Sequence, residues 1–157
     1  MNLADYMRED LVLPDLRSRS KALLFEEMVN HLSARGYIGD AKEIVRLLLD
    51  REKLMSTGIK RGFAIPHAFT AQLEKSIMMV GVSRRGVDFQ ALDDEPVFFV
   101  FLLLGPPDDQ GLHMHLLARL SRLMNQDDFY GRLETADVPR EILDVIAAEE
   151  KKIPLSA

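Results

Sequence analysis

The residues of this chain best suited to nucleophilic or acid–base chemistry are its four histidines, because it contains no cysteine. His67 has the most distinctive setting: it directly follows Pro66, at the end of a segment that holds Gly58 and Gly62. Proline fixes φ and removes a backbone donor, so it presents the next side chain in a defined direction. His67 is therefore a candidate nucleophile at a cleft, although the local sequence fits a histidine that caps a strand end equally well.

The other histidines have more ordinary surroundings. His113 and His115 open a predicted helix, and the free N–H groups in the first turn of a helix favour a bound anion. Residues that are two positions apart in a helix face different directions, so we expect no single site to contain both rings. His31 lies among the apolar residues of another predicted helix, which indicates a structural or solvent-facing role.

Metal and hydrolase chemistry are weaker interpretations of the same residues. Three histidines with Asp108 or Asp109 could ligate zinc. However, the sequence has neither a histidine pair at i,i+4 nor a His-Glu-x-x-His run. It also lacks the Gly-x-Ser-x-Gly elbow of serine hydrolases and the Gly-x-x-x-x-Gly-Lys-Ser/Thr loop that binds nucleotides. We expect a site with no metal and no other cofactor.

Length and composition predict one folded domain over residues 1–157. A chain of 157 residues with 47% apolar and 29% charged residues can bury a sizeable core. The net charge of −5 argues against a nucleic-acid binder, whose footprint would be basic. The longest apolar run, residues 96–107, falls far short of the ~20 residues that cross a bilayer. With no export signal at the N-terminus, we expect a cytoplasmic protein without membrane insertion.

The hydrophobic pattern predicts helices that alternate with strands. Asp40 is a candidate N-cap for a helix that ends near Leu54, and Gly36 ends the helix before it. Strands are expected at residues 11–14, 77–83 and 97–104, a turn at 84–86, and further helices at 111–125, 127–134 and 139–150. The predicted fold is an α/β sandwich, with a mixed β-sheet flanked by helices on both faces.

The segment around His67 resembles a known family. Ser56-Thr57-Gly58-Ile59 followed by residues 62–68, Gly-Phe-Ala-Ile-Pro-His-Ala, looks like the active-site segment of the enzyme IIA components of the bacterial phosphotransferase system. The match is to the fructose/mannitol class and its nitrogen-regulatory branch. The resemblance continues at residues 87–89, Val-Asp-Phe, and in the apolar strand at 97–104.

The resemblance implies roles for five residues. His67 matches the phosphorylated histidine, and His113 matches a second histidine that opens a Leu-rich helix; His115 stays as the alternative if that helix is rotated by two positions. Arg51, sixteen residues before His67, matches an arginine that with His113 would stabilise the charge of the phosphoryl group. Thr57 is a secondary candidate.

The resemblance also implies partners. The donor would be an HPr-type phosphocarrier protein, and the acceptor a IIB domain or a regulatory target protein. Because the sequence ends at Ala157 without a IIB-like segment, we expect the nitrogen-regulatory form. The alternatives are a sugar-specific IIA that passes phosphate to a IIB domain for transport, and a non-catalytic binding module on the same fold.

Overall fold

A computed structural model describes residues 2–154 of the chain. A 3₁₀ turn at Leu3–Tyr6 precedes the first strand. The strands are β1 (Met7–Leu13), β2 (Gly58–Lys60), β3 (Phe63–Ala64), β4 (His67–Phe69), β5 (Ile77–Val87) and β6 (Val97–Gly105), and the helices are α1 (Lys21–Ala34), α2 (Ala41–Leu54), α3 (Gln110–Met124), α4 (Phe129–Glu134) and α5 (Pro139–Glu150).

All six strands form one mixed sheet in the order β1-β5-β6-β3-β2, with β4 also paired to β6. The β5–β6 pair is antiparallel, whereas β1 is parallel to β5 and both β3 and β4 are parallel to β6. The strands β3 and β4 thus occupy successive stretches of the same edge of β6. The apolar, unalternating sequence of β6 predicted this central, doubly covered position.

Helices cover both faces of the sheet, as the sequence predicted. Along β6, Phe99, Phe101 and Leu103 pack into one core cluster, with apolar residues of α3, α4 and α5. Val100, Leu102 and Leu104 pack into the other cluster, with α1 and α2. This division follows from the two-residue period of a strand. Within residues 2–154, no helix is both long and apolar enough to span a bilayer.

The turn predicted at residues 84–86 is wrong. Strand β5 continues to Val87, and its register with β6 shifts between Val82 and Val87. Gly86 adopts a φ of +88°, and its N–H donates to the Ser83 hydroxyl at 3.0 Å. The glycine therefore produces a bulge within a strand, an outcome that the same residue types allow as readily as a turn.

A buried ion pair fastens α3 to α5. Arg119 and Glu150 are 1% and 3% exposed, and Arg119 Nε lies 2.8 Å from Glu150 Oε2. The carboxylate also accepts from the backbone N–H of Leu3, and Arg119 donates to the carbonyl of Pro154. Because both charges are buried and hydrogen-bonded, removing one of them leaves the other uncompensated.

Arg119→Met should therefore lower the free energy of unfolding by about 3–5 kcal/mol, measured by urea denaturation at pH 7. Arg140→Ala is the matched control, because Arg140 pairs with Glu9 and Asp144 at the surface. We expect a much smaller loss in that variant, since exposed ion pairs contribute little. Equal losses in the two variants would contradict a structural role for the buried pair.

Candidate functional site

His67 begins β4, at a break in the strand that pairs with β6. Pro66 has no N–H to give to a β-ladder, so β3 ends at Ala64 and pairing resumes at His67. The carbonyl of Pro66 accepts from Leu103 N–H at 2.9 Å, and His67 stands in register with Leu103. The side chain of His67 consequently lies on the α3 face of the sheet.

The ring of His67 is fixed by the backbone next to it. Its Nδ1 lies 2.8 Å from the carbonyl oxygen of Ile65. A carbonyl can only accept, so Nδ1 carries the ring proton and the lone pair is on Nε2. Burial lowers the pKa of His67 and Arg51 lowers it further, while the Ile65 carbonyl and Glu52 oppose them. The outcome is a neutral, oriented imidazole at neutral pH.

His113 provides the second ring of the site. Its ring centroid lies 5.6 Å from that of His67 and 4.2 Å from that of Phe69. His113 is 2% exposed, and neither ring nitrogen has a hydrogen-bond partner within residues 2–154. Burial, and then the neighbouring His67, lower its pKa to about 4. Both rings are therefore neutral at pH 7.

The structure distinguishes the remaining histidines. The ring of α3 that packs against His67 is that of His113; His115 is half-buried on the same helix. His113 and His115 are two positions apart in α3, which corresponds to a rotation of about 200° around the helix axis, so their rings point in different directions. His31 Nε2 lies 2.7 Å from the carbonyl of Asp10, which is a structural contact between α1 and β1.

Arg51 lies in the last turn of α2, where its positive charge acts on His67. Its Nη1 donates to the carbonyl of Met55 at 2.9 Å, which holds the guanidinium beside the end of its own helix. A guanidinium has five N–H groups, so this bond leaves donors with which Arg51 can bind an anion. The structure thus groups Arg51, His67 and His113.

A buried carboxylate, Glu52, positions the start of the Gly-rich segment that precedes His67. It accepts from Thr57 N–H at 3.0 Å and from Thr57 Oγ1 at 2.5 Å. Lys21 Nζ lies 3.0 Å from the same carboxylate, and the side chains of Glu52 and Lys21 are only 4% and 11% exposed. Thr57 therefore binds Glu52, and its role is to fix the start of the Gly-rich segment.

Hydrogen bonds link this carboxylate to the nucleophile candidate. The Thr57 carbonyl accepts from Ile65 N–H at 3.0 Å, and the Ile65 carbonyl accepts from His67 Nδ1. Between them, β2 and β3 reverse at Arg61 and Gly62, whose φ values of 55° and 85° suit a tight hairpin turn. Glu52 thus acts on His67 both through the backbone and through its charge.

Glu52 and Phe69 are parts of this site that the sequence motifs did not predict, although each residue carries a signal in its spacing. Glu52 continues the buried stripe of α2 at a four-residue spacing after Ile44 and Leu48. A carboxylate in an apolar stripe indicates a paired, buried charge. Phe69 is two residues after His67 on a strand, so both side chains share one face.

The arrangement is suited to group transfer at an imidazole. It offers a nucleophilic Nε2, a neighbouring neutral imidazole that can donate one hydrogen bond, and a guanidinium that attracts negative charge. Within the described part of the chain, no group of three or more His, Asp or Glu side chains is arranged to hold a metal ion.

Glu52→Gln should lower the pKa of His67, because the negative charge of Glu52 raises it and Lys21 would then be unneutralised. NMR titration of the His67 ring measures this shift. Asp50→Asn is the control, because it removes the same charge from an exposed side chain of α2. An unchanged pKa in Glu52→Gln would contradict the coupling.

His113 should make stability depend on pH. Its folded pKa of about 4 lies below the unfolded value of 6.5, so protons bind the unfolded chain preferentially between these values. The contribution of neutral His113 to the free energy of unfolding is fully present above pH 6.5. It is lost as pH falls toward 4, and the loss amounts to about 3 kcal/mol at most. Urea unfolding at pH 7, 5.5 and 4 should show a smaller loss in His113→Gln than in wild type. Equal losses would contradict the depressed pKa.

Comparison with known proteins gives the family. The sequence model of the "Phosphoenolpyruvate-dependent sugar phosphotransferase system, EIIA 2" family matches residues 5–149. A fructose-specific EIIABC component of Bacillus subtilis is 30% identical over 151 residues, which is 96% of this chain but only 24% of that protein. A nitrogen regulatory protein of Bradyrhizobium diazoefficiens is 32% identical over 148 residues, 94% of this chain and 95% of the relative.

Solved structures agree with the sequence relatives. The nitrogen regulatory protein IIA-Ntr of Neisseria meningitidis matches with a TM-score of 0.85 and 29% identity, over 92% of this chain and 98% of that one. The crystal structure of IIA mannitol from Escherichia coli matches with a TM-score of 0.73 at 20% identity, over 87% and 96%, and shares the fold. The predicted resemblance is confirmed: this chain belongs to the EIIA 2 family of the phosphotransferase system, whose domains are phosphotransfer components, and has both nitrogen-regulatory and sugar-specific relatives.

Proposed function

We propose that this chain is a cytoplasmic phosphohistidine carrier that accepts a phosphoryl group on Nε2 of His67 and passes it on. The observation that carries the proposal is the hydrogen bond from His67 Nδ1 to the Ile65 carbonyl. It fixes the tautomer in which Nε2 has the lone pair, and the lowered pKa keeps that lone pair available at neutral pH.

The transfer step balances without a cofactor. The Nε2 lone pair of His67 forms the new N–P bond while the N–P bond of the donor histidine breaks, and the donor nitrogen leaves with that electron pair. His67 keeps its Nδ1 proton, bonded to the Ile65 carbonyl, throughout. Because one phosphoramidate replaces another, the protein needs only to align the groups and stabilise the spread charge.

We assign Arg51 and His113 the role of stabilising the negative charge of the transferring phosphoryl group. Arg51 contributes a permanent positive charge in the electrostatic environment of His67. His113 is neutral and contributes one ring N–H as a hydrogen-bond donor, from a ring 5.6 Å away. Donors fixed before the reaction stabilise a phosphoryl group without the cost of reorganisation.

The proposed partners are those that the family resemblance implies. We propose an HPr-type phosphocarrier as donor. Enzyme IIAMTL of Escherichia coli, which shares this fold, has been solved in complex with phosphorylated enzyme IIBMTL, and this supports a IIB domain as one acceptor. The alternative acceptor that we propose is a regulatory protein. Likeness to IIA-Ntr of Neisseria meningitidis favours the nitrogen-regulatory branch.

A sugar-specific IIA is the second candidate function. The observation in its favour is the 30% identity to the fructose-specific EIIABC component over 96% of this chain. The two candidates differ in the acceptor. The phosphorylated chain mixed with a fructose-type IIB domain should lose its phosphoryl group within seconds if the chain serves sugar transport, and should retain it if the chain is regulatory.

His67→Gln should abolish phosphorylation. Wild-type protein incubated with an HPr-type carrier charged from phosphoenolpyruvate should gain the mass of one acid-labile phosphoryl group, detected by intact-protein mass spectrometry. His31→Gln is the matched control, because His31 makes a structural contact to Asp10; that variant should still be phosphorylated. His113→Gln should slow the reaction by about 10²-fold, as loss of one charge-stabilising donor does, and His115→Gln should not.

Phosphoramidate, a small N–P donor, separates the chemistry of His67 from the choice of partner protein. Wild-type protein that reacts with phosphoramidate but with no carrier protein has the chemistry and lacks the right donor. Wild-type protein that reacts with neither donor would contradict the carrier function and favour a binding module. Phosphorylation that persists in His67→Gln would contradict the assignment of His67.

A further inference from the structure

Two buried polar atoms beside His67 have no role in the mechanism above. They are the Ser76 hydroxyl oxygen and Nδ1 of His113, and neither has a hydrogen-bond partner within the described residues. Ser76 is 5% exposed and His113 is 2% exposed. Because buried polar groups in native proteins are almost always hydrogen-bonded, two such atoms close together require an explanation.

Gly105 places the two atoms together. It ends β6, and its carbonyl accepts from Thr70 N–H at 2.9 Å, which fixes the backbone at this point. A Cβ on Gly105 would lie 2.7 Å from Ser76 Oγ and 3.5 Å from His113 Nδ1. Both polar atoms therefore approach the same side of Gly105, where the absence of a side chain makes room for them.

The proposed role of His113 determines which of its ring nitrogens must carry the proton. A neutral imidazole has one N–H, and that proton must be on the nitrogen that faces the phosphoryl group if the ring is to donate to it. Nδ1 lies toward Gly105 and Ser76, which leaves Nε2 for the phosphoryl group. Nδ1 is then an acceptor that needs a donor, and Phe69 packs against the ring at 4.2 Å and limits its rotation.

We propose that Ser76 is a positioning residue: its hydroxyl donates to His113 Nδ1 and so holds His113 in the Nε2–H tautomer that donates to the phosphoryl group on His67. Oγ would reach Nδ1 by rotation about the Cα–Cβ bond of Ser76 or through one bridging water. Metal-bound and catalytic histidines are oriented in the same way by a partner on their other nitrogen. The inference rests on the proposed carrier function, but its tautomer can be measured without phosphorylation.

Ser76→Ala tests the proposal, with two measurements. In unphosphorylated wild-type protein, ¹⁵N-resolved ring spectra at pH 7 should show His113 as the Nε2–H tautomer, and in Ser76→Ala as a mixture that includes Nδ1–H. Phosphorylation by a charged HPr-type carrier should show kcat about tenfold lower in the variant, with KM unchanged, because one hydrogen bond to a charged group is lost and docking is not affected. Ser83→Ala, which removes the hydroxyl of another buried serine, in β5, is the control and should change neither quantity.

The proposal requires both the change in the His113 tautomer and the fall in kcat. A wild-type His113 that is protonated on Nδ1 overturns the proposal, and so does an unchanged tautomer or an unchanged kcat in Ser76→Ala. Failure of the carrier function has a different signature. In that case wild-type protein takes no phosphoryl group on His67, while the tautomer of His113 still decides whether Ser76 orients it.

Discussion

The hydrogen bond between His67 Nδ1 and the Ile65 carbonyl is the interaction on which the site depends. It requires the Ile65 carbonyl to accept from a side chain, which it does at the interruption between β3 and β4. It also requires His67 to re-enter the sheet immediately, opposite Leu103, so that the ring lies on the α3 face.

The surroundings of this bond show how the fold makes two histidines neutral at one place. Burial lowers the pKa of both rings, and each ring has the other as a close neighbour. Neutrality suits a nucleophile, but a phosphoryl group also needs positive charge. Arg51 supplies that charge from the end of α2, while Glu52 is held by Thr57 and Lys21 next to it. Two neighbouring residues of one helix thus place opposite charges in the surroundings of His67.

The sequence predicted the layered α/β fold and most of its elements, because the long apolar strand and the amphipathic helices have clear periods. The helix at Pro139–Glu150 has the predicted bounds, and the Asp40 side chain accepts from Glu43 N–H as an N-cap should. The bulge at Gly86 could not be distinguished from a turn, since glycine with positive φ serves both. The meeting of His67 with His113 could not come from local sequence either, because it depends on the register of β4 with β6 and on which face of α3 is buried. The family resemblance supplied that pairing, and the structure provides its physical basis.

Direct evidence on the central claim would come from the position of the phosphorus on the imidazole. With ¹⁵N-labelled protein phosphorylated to completion, ¹⁵N–³¹P coupling identifies the nitrogen that bears the phosphoryl group. Phosphorus bonded to Nε2 of His67, with Nδ1 still protonated by virtue of its bond to the Ile65 carbonyl, is the expected result. Phosphorus bonded to Nδ1 of His67, or to His113, would contradict the orientation of the nucleophile described here.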